Sequence, residues 1–337
     1  YKASLKIDSV EWNTLVFHTG ESKESFERCI PIFFRPIFLR NLYIWLKILS
    51  YRKQYDLILL RHMTFDPFAL IFSYFFKNRI SVHHAKEIEE LKLIRKGWKG
   101  KLASLIETIT GKISISNAKA IVGVTDEIAN YENSARHLNK KTFSYPNGID
   151  IDSVSLAVDK REKDVVNIAF ICGTFSEWHG LDLLIDAVNN KNDQMPSIII
   201  HLIGRLNEQY LKSIEGNSCF VVHGVMNKDD YLEIIDKCDA ALGSLAMFRQ
   251  NLNEGSTLKV REMLALGIPV YSTHIDTSLQ NNSIFYLNDK NLNVNNLYNF
   301  SLNMKNYTRS EVREDTAKYI DKIKILEKLI NDFSIIL

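Results

Sequence analysis

Short apolar strands alternate with amphipathic helices along the whole sequence, which predicts an α/β protein built on parallel sheets. A turn signal at Pro146-Asn147-Gly148, followed by a polar, irregular run over Ile151–Asp164, divides that alternation into two halves. With 337 residues, each half is long enough to bury a core of its own. The expectation is two Rossmann-like domains facing one another across a cleft, formed by residues 1–150 and 151–308. Residues 309–337 are expected to make a C-terminal helix that returns to the first domain.

Apolar and charged fractions of 46% and 24% are those of an ordinary globular chain. The formal net charge of +2 is unevenly placed: residues 1–150 carry 23 Lys/Arg against 15 Asp/Glu, and 151–337 carry 19 against 25. The first half is therefore expected to face something anionic. Cys29, Cys172, Cys219 and Cys238 are scattered without metal-type spacing, which suits reduced thiols in a cytoplasm. No apolar run is long enough to span a bilayer and no secretory leader is recognisable.

In the first half, Thr14–His18 reads as a strand, and nothing before it resembles an opening strand with a glycine loop. Pro36–Arg52 has the pattern of an amphipathic helix, Tyr55–Leu60 of a buried strand, and Phe65–Phe76 of a very apolar helix. Arg79–Val82 is a strand that runs into His83-His84. The charged segment Lys86–Lys101 leads into a helix through about Thr110. Ala120–Val124, Asp126–Leu138 and Lys141–Tyr145 then read as strand, helix and strand.

In the second half, strands are expected at Val166–Cys172, Ser197–Ile203, Cys219–Val222, Asp239–Leu245, Pro269–Ser272 and Ser283–Leu287. Helices are expected at Leu181–Asn189, Lys228–Lys237 and Thr257–Leu266, then over 291–304 and 310–333. The stretch Glu254–Pro269 (EGSTLKVREMLALGIP) carries the most chemistry. Ser256 or Thr257 is a suitable N-cap, Gly267 and Pro269 stop the helix, and Val260, Met263 and Leu264 form its inward stripe. Free N–H groups, Lys259, Glu254 and Glu262 together suit a ligand with both phosphates and hydroxyls: amides and lysine take the anion, carboxylates take hydroxyl pairs. The bland alternative is an exposed Lys259–Glu262 pair worth only ~0.2–0.5 kcal/mol.

Glu-x7-Glu followed by ALGIPV, with the strand-loop-helix VNIAFICG-TFSEWH-GLDLLIDA, HLIG, VHG and PNGID, resembles the retaining glycosyltransferases of family 4, which have the GT-B fold. The resemblance covers nearly the whole second half. It implies that Glu262 takes the ribose hydroxyls of a nucleotide sugar and Glu254 its sugar hydroxyls, with Glu254 in the catalytic set. Lys259, Gly173, Thr174, His179 and the amides near Thr257 and Leu258 would cradle the diphosphate. Family members carry an arginine and a lysine at the positions of Thr174 and His179; Trp178-His179-Gly180 resembles a Trp-His-Gly version of the loop. A histidine beside a diphosphate should have its pKa raised, so His179 is expected to act as a conditional cation. The alternative is that Trp178 and His179 simply pack the loop.

In the first half, the resemblance implies that His83 or His84 reaches the donor sugar as a catalytic candidate, and that Glu87 contacts the acceptor; Glu89 and Glu90 read as solvated. The family's opening strand and glycine loop are expected before Tyr1. Arg35, Arg40, Lys47, Arg52 and Lys53 lie beside Tyr43 and Trp45, and Lys92, Arg95, Lys96, Lys99 and Lys101 flank Trp98. Basic residues interleaved with aromatics suit an anionic membrane surface. No nucleic-acid motif accompanies them.

These readings lead to a retaining, metal-independent hexosyltransferase without a cofactor, using a nucleotide sugar (UDP-sugar favoured over GDP-sugar) and a glycan or lipid-linked acceptor. It is expected to be cytoplasmic, peripheral at the inner face of the membrane, and to serve bacterial surface polysaccharide synthesis. Alternatives are a non-catalytic GT-B subunit that binds a nucleotide sugar or a partner enzyme, supported by Thr174, and a sugar-nucleotide epimerase, for which no acid/base set is assignable.

Overall fold

The computed structural model describes residues 1–95, 97–190 and 197–336; Lys96 of the basic cluster falls outside them. The chain divides into two compact units, one made of residues 1–146 with the stretch from Ile325 onward, the other of Asn147–Lys324.

The first unit holds a parallel sheet of β3 (Ile58–Arg61), β4 (Arg79–His83), β5 (Ala120–Gly123) and β6 (Lys141–Ser144), paired in that order. A separate parallel pair, β1 (Val16–His18) and β2 (Glu27–Cys29), precedes it. α1 (Ile37–Tyr51) buries Trp45 and Ile48 against Ala69 and Phe76. The Trp45 indole donates to Asp66 at 2.6 Å, so this ring belongs to the core and not to a membrane-facing aromatic set. That hydrogen bond also shortens the next helix. Asp66 accepts from the Phe68 N–H, and regular helix is confined to α2 (Ala69–Phe72) and a 3-10 turn at Ser73–Phe75, not Phe65–Phe76.

The charged segment is two helices, α3 (Glu87–Ile94) and α4 (Trp98–Ser116). They are separated at Gly97, whose φ of +77° only glycine adopts without strain. α5 (Asp126–Ser134) is capped by the Thr125 side chain and ends before the expected Leu138.

The second unit is a six-stranded parallel sheet: β7 (Val166–Thr174), β8 (Ile198–Arg205), β9 (Phe220–Gly224), β10 (Ala240–Leu242), β11 (Val270–Ser272) and β12 (Tyr286–Asn288). Their spatial order, β12-β11-β10-β7-β8-β9, is that of a doubly wound nucleotide-binding sheet. Connecting helices are α6 (Leu181–Asn189), α7 (Glu208–Ile214), α8 (Lys228–Ile235), α9 (Leu258–Ala265) and α10 (Val294–Met304). α7 is absent from the sequence expectation; Asn207 caps it by accepting from the Tyr210 N–H at 2.8 Å.

The last expected helix is also two. α11 (Arg309–Ile320) buries Val312, Thr316 and Ile320 in the second unit, so the boundary expected at 308 falls after α11. Asp321 is extended (φ −66°, ψ 126°) and caps α12 (Lys322–Phe333) through the Ile323 N–H. α12 sends Leu326, Leu329 and Phe333 into the first unit, where Phe333 meets Phe143 edge-on at 5.4 Å.

Gly111 on α4 tests how rigid the first unit is. Alanine is the better helix former by ~1 kcal/mol, but its Cβ would sit 2.4 Å from Glu107 Oε1 and 2.7 Å from Arg136 Nε, both buried. Overpacking against a locked charge pair costs ~1–3 kcal/mol, so Gly111→Ala should lower the urea midpoint. An unchanged or higher midpoint would mean that this pair can move freely.

Candidate functional site

In a doubly wound sheet, ligands bind beyond the carboxyl ends of the strands where the strand order reverses, here between β7 and β10. Gly173 and Thr174 are exposed at that end of β7. The loop after them turns through a 3-10 segment at Glu177–His179 into Gly180, whose φ is +73°. A Cβ on Gly180 would lie 2.9 Å from Leu245 Cβ, so the loop approaches the segment after β10 as closely as backbone allows. Leu245 and Ala246 N–H groups donate to the His179 and Trp178 carbonyls at 3.0 and 3.2 Å, tying the two together.

Lys259 lies in the same place. It does not stand on a solvated helix face: its Nζ is 3.6 Å from Cys172 Sγ, 5.1 Å from the Phe170 ring centroid and 5.8 Å from that of Trp178. Burial lowers its pKa, and the Cys172 sulfur works in the opposite direction. Thr257 holds the N-cap position of α9 but gives no side-chain hydrogen bond to its first turn. Ser256, the other expected cap, is engaged elsewhere, as its Oγ accepts from the Asn147 N–H at 2.8 Å and from Arg261 Nη2 at 3.0 Å. Arg261 is fully buried, pairs through both Nη atoms with Asp276 and donates from Nε to the Asn147 carbonyl at 2.9 Å. Glu254 is half-buried and bridges in parallel to Ile275. Glu262 is half-buried on α9, and its Oε1 accepts from the Tyr231 hydroxyl at 2.7 Å.

His179 closes its own loop in the ligand-free protein. Its Nδ1 accepts the Ser176 N–H at 2.9 Å, it is buried, and burial with the charge of Lys259 lowers its pKa to about 4. In the ligand-free protein it is thus a loop-capping group with its Nδ1 committed to the Ser176 N–H. Its ring lies 3.8 Å from that of Trp178.

The first-unit candidates separate sharply. His84 is exposed. His83 is fully buried, with Nδ1 2.9 Å from Glu87 Oε2 and Nε2 2.8 Å from Ser81 Oγ, so neither nitrogen is available to a sugar. Glu87 is buried in the same network, and its N–H donates to Glu132 Oε1 at 3.1 Å; it does not face an acceptor. Burial and the neighbouring charge on His62 push the pKa of His83 well down. Burial would raise Glu107, but His62, the Phe65 N–H and Arg136 hold it at about 2. Burial, then the adjacent Glu87, pushes Glu132 up to about 8, and Glu87 is raised by burial too.

His83, Glu87 and Glu132 offer ligand atoms within 4.8 Å of one another. The Arg136 guanidinium, however, bridges Glu132 to Glu107, and a fixed cation there opposes a metal ion. One shared proton on the Glu87/Glu132 pair balances this network better.

No protein-family model matches the sequence, and no curated protein does. Solved structures do match. A glycosyltransferase from Rickettsia africae ESF-5 superposes with a TM-score of 0.61 at 12% identity, covering 96% of this chain and 90% of that one. HepE from Anabaena, in complex with UDP, gives 0.57 at 15% identity over 89% and 84%. Sucrose-phosphate synthase from Thermosynechococcus elongatus gives 0.57 at 12% identity over 92% and 81%. The chain has the GT-B fold. In this GT-B chain the donor-side candidates Gly173, Thr174, His179, Thr257, Leu258, Lys259 and Glu262 all belong to one unit, as does Glu254. Sequence reasoning missed Arg261, Asp276 and Tyr231. Arg261 was legible in principle, because it sits beside the apolar stripe residue Val260 on an otherwise buried helix face.

The shared proton gives a test by pH. A raised carboxyl pKa stabilises the fold fully below its unfolded value and loses that contribution as pH rises through about 8. The depressed His83 acts oppositely, but only below its unfolded value near ~6.5. Between pH 6.5 and 7.5, below the range where the lowered pKa of Lys322 (about 8) works the other way, the unfolding free energy should therefore fall, with a slope of at most ~1.4 kcal/mol per pH unit from this carboxyl. Glu132→Gln should flatten that slope in urea titrations; an equally steep variant would place the proton elsewhere.

Proposed function

We propose that this chain is a retaining, metal-independent glycosyltransferase of family 4. It transfers a hexosyl group from a nucleoside-diphosphate sugar, UDP-linked in preference to GDP-linked, to a hydroxyl of a glycan or lipid-linked acceptor. The observation that carries the reading is the placement of Lys259 beside the exposed end of β7, next to a helix start without a side-chain cap, at the strand-order reversal. It is supported by HepE, whose structures hold UDP, and UDP with glucose.

Glycosyl transfer sheds a diphosphate, so the site needs positive potential where the bond breaks. Lys259 supplies the charge by leaving the Cys172 sulfur for the phosphates, and the amides of Gly173, Thr174, Leu258 and Lys259 supply hydrogen bonds. His179 contributes as a neutral ring that shapes the loop. Glu262, with Oε1 steadied by Tyr231, takes the ribose hydroxyls, and Glu254 takes those of the sugar. The leaving phosphate oxygen accepts the acceptor's proton on the face it departs from, which retains configuration without a separate base. Of the histidine pair, His84 is the exposed one and is the candidate for the donor sugar. The working place is the cytoplasmic face of a membrane, in peripheral contact, in bacterial surface polysaccharide synthesis.

A second reading, a GT-B subunit that binds nucleotide sugar or a partner enzyme without turnover, is favoured by Thr174 and by the neutral His179. A panel of nucleotide sugars with detection of released nucleoside diphosphate separates the two: release supports transfer, and binding without release supports the subunit. Glu262→Ala removes a charged acceptor from a hydroxyl pair, an interaction of ~1.5–3 kcal/mol, so UDP should bind roughly 10–150-fold more weakly by calorimetry. Unchanged affinity in the folded variant would sink the ribose assignment.

A further inference from the structure

α4 is amphipathic in the reverse of the usual sense. Over most of its length the inward face presents small or polar residues, among them Gly100, Ala103, Ser104, Glu107 and Gly111, and Ile115 is the large apolar residue buried at its end. Its outward face carries Trp98, Leu102, Leu105 and Ile109, with 70%, 47%, 58% and 55% of their surface exposed. Spacings of four, three and four residues bring these side chains onto one ridge, within an arc of about 60°. A helix on a globular domain normally turns such a stripe inward. Here the interior beside α4 is taken by Glu107 and Arg136, which need small neighbours.

The ridge has company. α2 and the following 3-10 turn pack against α4 and expose Ile71, Tyr74 and Phe75, and the end of α3 exposes Leu93 and Ile94. The exposed charges on and beside α3 and α4 are Lys92, Arg95, Lys99, Lys101 and Lys112, against Glu90, and Lys92 is paired with the half-buried Glu89 at 2.8 Å.

We propose that this face seats on the surface of an anionic lipid bilayer, with the ridge at the headgroup boundary and the lysines on the lipid phosphates. Charge decides the occupant. A large apolar ridge alone would fit a protein partner, but a ridge with a tryptophan at one end and five basic residues around it matches an interfacial helix on acidic lipid. None of the described helices is long and apolar enough to cross a membrane, so the contact is in the plane of the surface. This deepens the membrane-side part of the function proposed above and rests on it. Of the two basic-aromatic clusters expected from sequence, it keeps the one around Trp98 and drops the one on α1, whose Trp45 is buried.

The test is flotation with vesicles of equimolar phosphatidylcholine and phosphatidylglycerol, and with phosphatidylcholine alone. The wild type should float with the anionic vesicles only and be released by raised salt. Leu102→Ser/Leu105→Ser/Ile109→Ser removes side chains that are about half exposed, so the variant should stay folded by circular dichroism with a somewhat lower melting temperature, yet partition roughly a hundredfold less. Trp98→Phe should abolish the fluorescence blue shift seen on binding. Equal flotation of the triple variant, equal binding to neutral vesicles, or loss of a dimer in the triple variant by sedimentation would each overturn the proposal. A UDP titration of the same samples judges the donor site separately: a wild type that floats but binds no UDP sinks the transferase reading and leaves this surface standing.

Discussion

Arg261 and Asp276 form a fully buried ion pair at the root of α9, and much of the second unit's working end hangs from it. A bare pair of that kind is a poor source of stability, since desolvation offsets its attraction. What it supplies is placement. With its charge balanced by Asp276, the guanidinium also grips Ser256 Oγ and the Asn147 carbonyl. Asn147 in turn donates from Nδ2 to the Ser256 carbonyl at 2.6 Å. Four groups from three separate stretches thus hold the segment between Glu254 and Lys259 in one conformation. Any ligand met by these residues meets a loop already ordered, so little entropy remains to be lost on binding.

The first unit has its own buried charge system, with a different outcome. His62, Glu107, Arg136, Glu132, His83 and Glu87 are linked over successive contacts, and α4 is shaped around them. This network withdraws His83 and Glu87 from any surface role. It also explains why the inner face of α4 is built from glycine, alanine and serine. Trp98, Leu102, Leu105 and Ile109 are thereby left outward, while Ile115 at the end of the helix is buried.

Legibility in the sequence followed the physics of each element. The strand-helix alternation of the second half was readable because buried parallel strands are runs of Val, Ile and Leu, and Leu181–Asn189 matched residue for residue. The Glu254–Glu262 stretch stood out because its charges sit around a helix start, which the structure places at Leu258. Trp45, His83 and Glu87 misled for a common reason: an aromatic, imidazole or carboxyl group looks the same in one dimension whether its partner is a ligand or Asp66, Ser81 and Glu132. Those partners lie 21, 2 and 45 residues away, and the distant ones can be identified only once the chain is folded. Helices broken at Gly97 and Asp321 were merged because periodicity carries across a single non-helical residue.

The path of the chain through the second unit closes on itself. The Ile149 N–H donates to the Ile320 carbonyl, and the Lys322 N–H donates to the Ile149 carbonyl, both at 2.9 Å, so the segment entering this unit is laced to the junction of α11 and α12 that leaves it. Residues 147–324 are consequently a continuous insertion that can complete every one of its own contacts as it leaves the ribosome. The first unit has no such independence. Its sheet is synthesised early, yet the apolar face that receives Leu326, Leu329 and Phe333 stays uncovered until α12 has been translated. The part made first is finished last, and during that interval it is the stretch of nascent chain most in need of a chaperone.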